Sequence, residues 1–171
     1  MKSDYADDMT FSHILAALMP ENRLAVMVSI ATGLRIDDVL HLRREHLMKE
    51  RFTIKEMKTG KSRRVYLPKQ LRIDLLNICG RWWVFENRLD PKKPRTRQAV
   101  YKDVKRAQAL FRSTKNLQIS PHSARKLYAV NEYKRLGSLK KVQQLLNHSN
   151  EAVTILYALA DEVTARQHKK A

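Results

Sequence analysis

The chain has only four glycines, at positions 33, 60, 80 and 137, and each closes a run of periodic apolar residues. A glycine inside a helix or strand costs about 0.5–1 kcal/mol relative to alanine, so glycines confined to the ends leave the elements between them uninterrupted. Ahead of Gly33, residues 21–32 read as a helix with Leu24, Val28 and Ala31 on one face. Residues 10–19 read as a shorter helix that Pro20 terminates. Past Gly33, Asp37 is expected to cap a short helix that reaches Arg43 and buries Leu40.

The period then changes from helical to alternating. Phe52 and Ile54 alternate with Thr53 and Lys55, and Val65 and Leu67 flank Tyr66. Lys58-Thr59-Gly60-Lys61 lies between the two runs, which predicts a β-hairpin with a basic turn. Helical spacing returns over residues 69–79, with Leu71, Leu75 and Ile78 inward. After a loop marked by Pro91 and Pro94, Thr96 is placed to cap a helix to about Arg112. Ser120-Pro121 opens another, which Gly137 ends. Ser138 caps a shorter helix to about Leu146, and Asn150 caps the last, with Val153, Leu156 and Leu159 inside. No repeat, low-complexity tract or linker interrupts this order. The expected fold is one domain over residues 1–171, mainly α with one small antiparallel β-hairpin, in the α+β class.

Charge limits the partner. Lys and Arg number 34 against 17 acidic residues, a formal charge of +17. That self-repulsion is relieved by a polyanion, with nucleic acid the first candidate. The stretch 88–115 holds ten Lys or Arg and two Asp, and its single-sign excess marks a phosphate-facing surface more than a solvated helix face. No apolar run reaches membrane-spanning length, and the polar start of the chain resembles no secretion signal. Cys79 is the only cysteine, so no internal disulfide can form, which fits a cytoplasmic location.

Taken singly, the residues that could carry chemistry say little. A lone His122 or His148 is more often structural, Arg35 could sit in an ordinary turn, and Tyr157 on an apolar face is by default core. Their order says more. The chain runs Ala31-Thr32-Gly33-Leu34-Arg35-Ile36-Asp37-Asp38-Val39, then the Lys58 turn, then Pro121-His122-Ser123-Ala124-Arg125, then Leu145-Leu146-Asn147-His148-Ser149, then Thr154-Ile155-Leu156-Tyr157. This series resembles the catalytic domain of the tyrosine recombinases, the phage integrases and their relatives, from Leu24 to about Leu159.

The resemblance implies that fold and a set of roles. Arg35 and Arg125 match the two catalytic arginines, Lys58 the hairpin lysine, His122 the first histidine, His148 the second and Tyr157 the nucleophile; Asp38 matches a supporting acidic residue. The sequence departs from the family at Asn147, where glycine is usual, and at Ala124 and Lys126. The roles make chemical sense. A phosphodiester under attack gathers negative charge on its non-bridging oxygens, which two permanently charged guanidiniums can hold. A phenol needs a base, for which His122 is the candidate, and a leaving 5′-oxygen needs an acid, for which Lys58 is the candidate. His122 and Arg125, three apart on a helix, share a face.

The expected function is therefore a site-specific recombinase that joins Tyr157 to a DNA 3′-phosphate, with no cofactor, ATP or metal. No Gly-x-x-x-x-Gly-Lys-Ser/Thr loop is present, and Asp37-Asp38, the nearest thing to a metal-binding pair, fits capping and support better. Lys61, Arg63, Lys92, Lys93, Arg95, Arg97, Lys102 and Lys126 are expected on the DNA. The partners implied are double-stranded DNA and other protomers, a tetramer on DNA whose segment 158–171 exchanges between subunits; without DNA the domain is expected to be monomeric. The N-terminal core-binding domain of full recombinases is missing from the expected plan. The rivals are a type IB topoisomerase of the same mechanism, a non-enzymatic helix-turn-helix protein built on Ser138 to His148, and an RNA-binding protein, for which no aromatic stacking motif is found.

Overall fold

A computed structural model describes Asp4, Ala6 and residues 8–146 of the chain. The helices are α1 (Asp8–Ala17), α2 (Pro20–Thr32), α3 (Ile36–Leu40), α4 (Lys69–Ile78), α5 (Arg97–Ala109), α6 (Pro121–Leu136) and α7 (Leu139–Leu145), and the strands are β1 (Arg51–Lys55) and β2 (Ser62–Tyr66). Two short 3₁₀ turns, Arg44–Met48 and Arg112–Thr114, complete the described elements. The α+β class, the hairpin and the order of these elements are as expected. The helix expected from Asn150 lies outside the described residues.

Helix α2 is the centre of the domain, packed on α6, α3, α4 and α1. Ala25, Val26 and Val28 are fully buried on it, and so are polar Ser29 and nearly so Thr32. Those two hydroxyls turn inward to the backbone: Ser29 donates to the carbonyl of Leu34 at 2.7 Å and Thr32 to that of Val28 at 2.7 Å. Gly33 ends the helix with φ 66°, a left-handed turn that returns its N–H to the carbonyl of Ser29 at 2.8 Å. Leu34, Leu40, Leu42, Leu47, Leu67 and Leu75 then close one continuous core with Phe11 and Ile14 of α1 and Val100 and Val104 of α5. A smaller cluster of Tyr128, Ala129, Val130, Val142 and Leu146 joins α6 to α7.

Caps explain several boundaries. Thr96 accepts from the N–H of Ala99 at 3.2 Å, as its position implies. At α6, Ser120 accepts from the N–H of His122 at 3.2 Å while Ser123 accepts from the N–H of Ser120 at 3.2 Å, and Gly137 ends the helix at φ 62°. Other boundaries differ from expectation. Pro20 does not simply stop α1, which ends at Ala17; it is the first residue of α2, where its missing N–H is harmless. Asp37 does not cap α3. Arg35 holds the cap position with extended backbone, and both aspartates lie in the first turn, where the helix dipole favours them. Helix α3 also stops at Leu40, ahead of Arg43, and α5 stops at Ala109, ahead of Arg112.

The hairpin pairs Arg51 with Tyr66, Phe52 with Val65 and Ile54 with Arg63. Its inner face carries Ile54, Val65 and, against expectation, Arg63. No described helix is long and apolar enough to cross a membrane.

Gly33 offers a test of this packing. A β-carbon there would lie 2.4 Å from the ring of Tyr128, whereas at Gly137, with nearly the same φ of 62°, it would meet nothing within 4 Å. Gly137→Ala should therefore cost about 1 kcal/mol, the backbone penalty alone, and Gly33→Ala at least about 2 kcal/mol more from overpacking. Urea titrations of both variants check this, and equal losses would contradict the packing of α6 on α2.

Candidate functional site

The left-handed turn at Gly33 sends the chain from α2 into α3 with Arg35 at the junction. Helix α6 crosses the same place and brings Arg125, which is 1% exposed although it carries a full charge. The surroundings account for its burial. Its Nη1 donates to the carbonyl of Gly33 at 2.6 Å and its Nη2 to that of Leu146 at 3.1 Å. Both acceptors are at helix ends, where carbonyls lack helical partners and the dipole favours a cation.

Arg63 of β2 reaches the same helix end. It donates to the carbonyls of Gly33, at 3.2 Å, and Thr32. It also meets the carboxylate of Glu56 at 3.4 Å, which is fully buried and pairs with Arg35 through its other oxygen at 3.0 Å. The hydroxyl of Thr59, in the hairpin turn, donates to that same oxygen at 2.9 Å. Asp38 holds the turn from the other side, accepting from the N–H of Met57 at 2.9 Å. Lys58 is exposed between these two anchors.

The two acids differ electrostatically. Burial raises the Asp38 carboxyl above its usual range; the Met57 N–H works against this, the nearby Glu56 adds to it, and Arg35 and Arg125 oppose it without cancelling it. Burial would raise Glu56 too. There the Thr59 hydroxyl and the guanidiniums of Arg63, Arg35 and Arg125 outweigh it, and Glu56 is held below its ordinary value.

Arg35, Lys58, His122 and Arg125 all line one cleft of about 720 Å³, with Asp38 in its wall and Arg97 and Tyr101 of α5 facing them. Such a cleft, with Arg125 held by backbone carbonyls and Arg35 by the Glu56 carboxylate, is suited to an anion carrying several oxygens. The structure thus brings together Arg35, Asp38, Lys58, His122 and Arg125, the expected catalytic and supporting residues that it describes. His148, Tyr157 and the segment 158–171 lie outside the described residues. Among the described residues, no cluster of three His, Cys, Asp or Glu is placed to hold a metal ion.

The expected DNA contacts divide. Arg97 lines the cleft, paired with Asp37 at 3.4 Å. Lys61, Lys92, Lys93 and Lys102 are exposed, with Lys93 paired to Asp90 at 3.1 Å, and Lys126 is half-buried on α6. Arg63 and Arg95 require correction. Arg63 is 8% exposed and committed to Glu56 and the end of α2. Arg95 is also 8% exposed, donating to Asn22 at 3.1 Å and paired with Glu21. Both are engaged inside the domain and not on the exposed surface where they were expected. Glu56 and Tyr101 were not anticipated. Strand alternation held the signal for Glu56, since it lies two residues past buried Ile54 and therefore on the same face.

Comparison with known proteins gives the family. The phage integrase family model matches residues 6–163, and the chain belongs to that family. It is 25% identical over 158 residues to tyrosine recombinase XerA of Pyrococcus furiosus, covering 88% of this chain and 53% of that protein. It is 27% identical over 142 residues to the probable integrase/recombinase YoeC of Bacillus subtilis, covering 80% and 76%. The chain therefore spans about half the length of XerA. Among solved structures, its fold is similar to XerH site-specific recombinase bound to a palindromic difH substrate (TM-score 0.73, 20% identity, covering 98% of this chain and 52% of that one). It is also similar to a lambda integrase dimer bound to a COC′ core site (TM-score 0.69, 20% identity, covering 91% and 59%).

The raised Asp38 carboxyl gives a signed prediction. The folded protein favours protonated Asp38, so wild type loses stability as pH rises from the ordinary value of 3.8 through the raised folded value. Asp38→Asn escapes that loss. Its melting temperature relative to wild type should be more favourable at pH 7.5 than at pH 4, and a difference independent of pH would contradict the assignment.

Proposed function

We propose that this chain is the catalytic part of a site-specific tyrosine recombinase, which cuts and rejoins double-stranded DNA through a 3′-phosphotyrosyl bond at Tyr157. The observation that carries the reading is the meeting of Arg35, Lys58 and the α6 pair His122 and Arg125, from three separate stretches of chain, around one cleft. The scissile phosphate lies between Arg35 and Arg125, whose guanidiniums neutralise the charge that develops on its non-bridging oxygens. His122 takes the phenolic proton of Tyr157 as the oxygen attacks phosphorus. The bond to the 5′-oxygen breaks, and that oxygen takes a proton from the Lys58 ammonium. His148 donates a hydrogen bond to the phosphate. The new phosphotyrosine ester retains the energy of the broken bond, so a 5′-hydroxyl can reverse the sequence without ATP. The two guanidiniums do the electrostatic work that a metal does in many nucleases, and the reaction runs without one.

The relatives favour recombination over the topoisomerase alternative. The similar proteins carry the names tyrosine recombinase and integrase, and one similar structure, of 19% identity, is a lambda integrase tetramer bound to a Holliday junction. By analogy the partners of this chain are duplex DNA and further copies of a recombinase. The exposed lysines and Arg97 supply the phosphate contacts. The family match makes a purely DNA-binding, helix-turn-helix role the weaker reading.

The test is adduct formation on a nicked suicide duplex. Wild type should form a covalent protein–DNA adduct in EDTA, Tyr157→Phe should form none while still binding DNA, and Arg35→Ala should slow the reaction by about 10²-fold or more. An adduct of unchanged yield in Tyr157→Phe, or cleavage that requires Mg²⁺, would overturn the mechanism.

A further inference from the structure

Glu56 has no part in the reaction as described, yet its side chain joins three others beside the cleft. Its carboxylate is fully buried and accepts from Arg35 at 3.0 Å, Thr59 at 2.9 Å and Arg63 at 3.4 Å. Its backbone closes the same turn, its N–H donating to the carbonyl of Lys61 at 2.9 Å and its carbonyl accepting from Gly60 at 2.8 Å. One residue therefore joins the arginine at the start of α3, the turn that carries Lys58, and the strand arginine braced on the end of α2.

We propose that Glu56 is a positioning residue, which docks the Lys58 turn against Arg35 so that acid and arginine meet the same phosphate in fixed relation. The inference rests on the roles of Lys58 and Arg35 under the proposed function. A lysine is long and flexible, and holding an exposed one in a single place costs side-chain entropy. A general acid works only within hydrogen-bond reach of its oxygen, so the turn must be held even though the side chain is free to reach. The anchor must also be an anion. Arg35 and Thr59 share one oxygen and Arg63 takes the other. A glutamine can serve only one of those two sides, since its amide nitrogen would present hydrogens to the donors on the other. Held below its ordinary value by those same groups, Glu56 is ionised at neutral pH.

The alternative is that Glu56 serves only to hold the fold together. Single-turnover cleavage at saturating protein separates the two, using a suicide duplex with either the natural 5′-oxygen or sulfur as the bridging atom. A thiolate leaves without a proton, so a misplaced acid no longer matters on the sulfur substrate. On the oxygen substrate, well below its melting temperature, Glu56→Gln should be slower than wild type by about 10- to 100-fold with unchanged DNA affinity. On the sulfur substrate most of that loss should disappear, as it should for Lys58→Ala, and the double variant should be no slower than Lys58→Ala alone. Should Glu56→Gln fail to fold, Thr59→Val removes the turn's side of the anchor and should give the same pattern at smaller magnitude. A wild-type rate in the variants, or equal losses on both substrates, would overturn the positioning role. Absence of any adduct with the wild-type protein would instead sink the proposed function.

Discussion

The end of helix α2 is the point on which the rest of the site depends. Its last carbonyls, at Thr32 and Gly33, have no helical partners, and two guanidiniums, from Arg63 and Arg125, take their place. The arrangement resolves a conflict. A phosphate site needs fixed, dehydrated cations, but burying a charge costs several kcal/mol unless it is compensated. Backbone carbonyls at a helix terminus compensate without neutralising, so the Arg125 charge is held at the wall of the cleft. Gly33 makes this possible twice. Its positive φ turns the carbonyls outward, and its lack of a side chain lets Tyr128 bring α6, and with it Arg125, against the turn.

Around that point the hairpin works as a second layer. Glu56 and Asp38 fasten its turn to the start of α3, from opposite sides and with opposite electrostatic character. Glu56 is stabilised as an anion by its neighbours, whereas Asp38 is strained as one by burial. The high positive charge of the chain is consequently of two kinds. Part is exposed, at Lys61, Lys92, Lys102 and Arg97, and available to a polyanion. Part is internal, at Arg63, Arg95 and Arg125, where it holds helices and strands together.

That division explains what could be read from the residues alone. The helices, the hairpin and the grouping of Arg35, Lys58, His122 and Arg125 were legible, because periodicity and motif order report on local structure and on family. Arg63 and Arg95 were misplaced because composition treats every arginine as solvated. Whether one is buried depends on partners distant in sequence: Thr32 and Gly33 for Arg63, Asn22 and Glu21 for Arg95. Glu56 was missed for the complementary reason, since an acid beside a basic turn looks like surface. Extending the alternation of Phe52 and Ile54 by one step would have placed it inside. Asp37 was misassigned as a cap because capping by side chain and by position look alike in a sequence; Arg35 takes the position with no side-chain bond at all.

The central claim is that Arg35 and Arg125, held by these internal partners, act on the charge of a scissile phosphate. It is tested most directly by removing that charge from the substrate. A suicide duplex with a methylphosphonate at the scissile position is neutral there, and its cleavage by wild type and by Arg35→Ala can be compared with that of the ordinary phosphate. The account predicts that the deficit of Arg35→Ala, about 10²-fold on the phosphate, falls to within a few-fold on the methylphosphonate. The same deficit on both substrates would show that Arg35 does not act on phosphate charge, and would contradict the account.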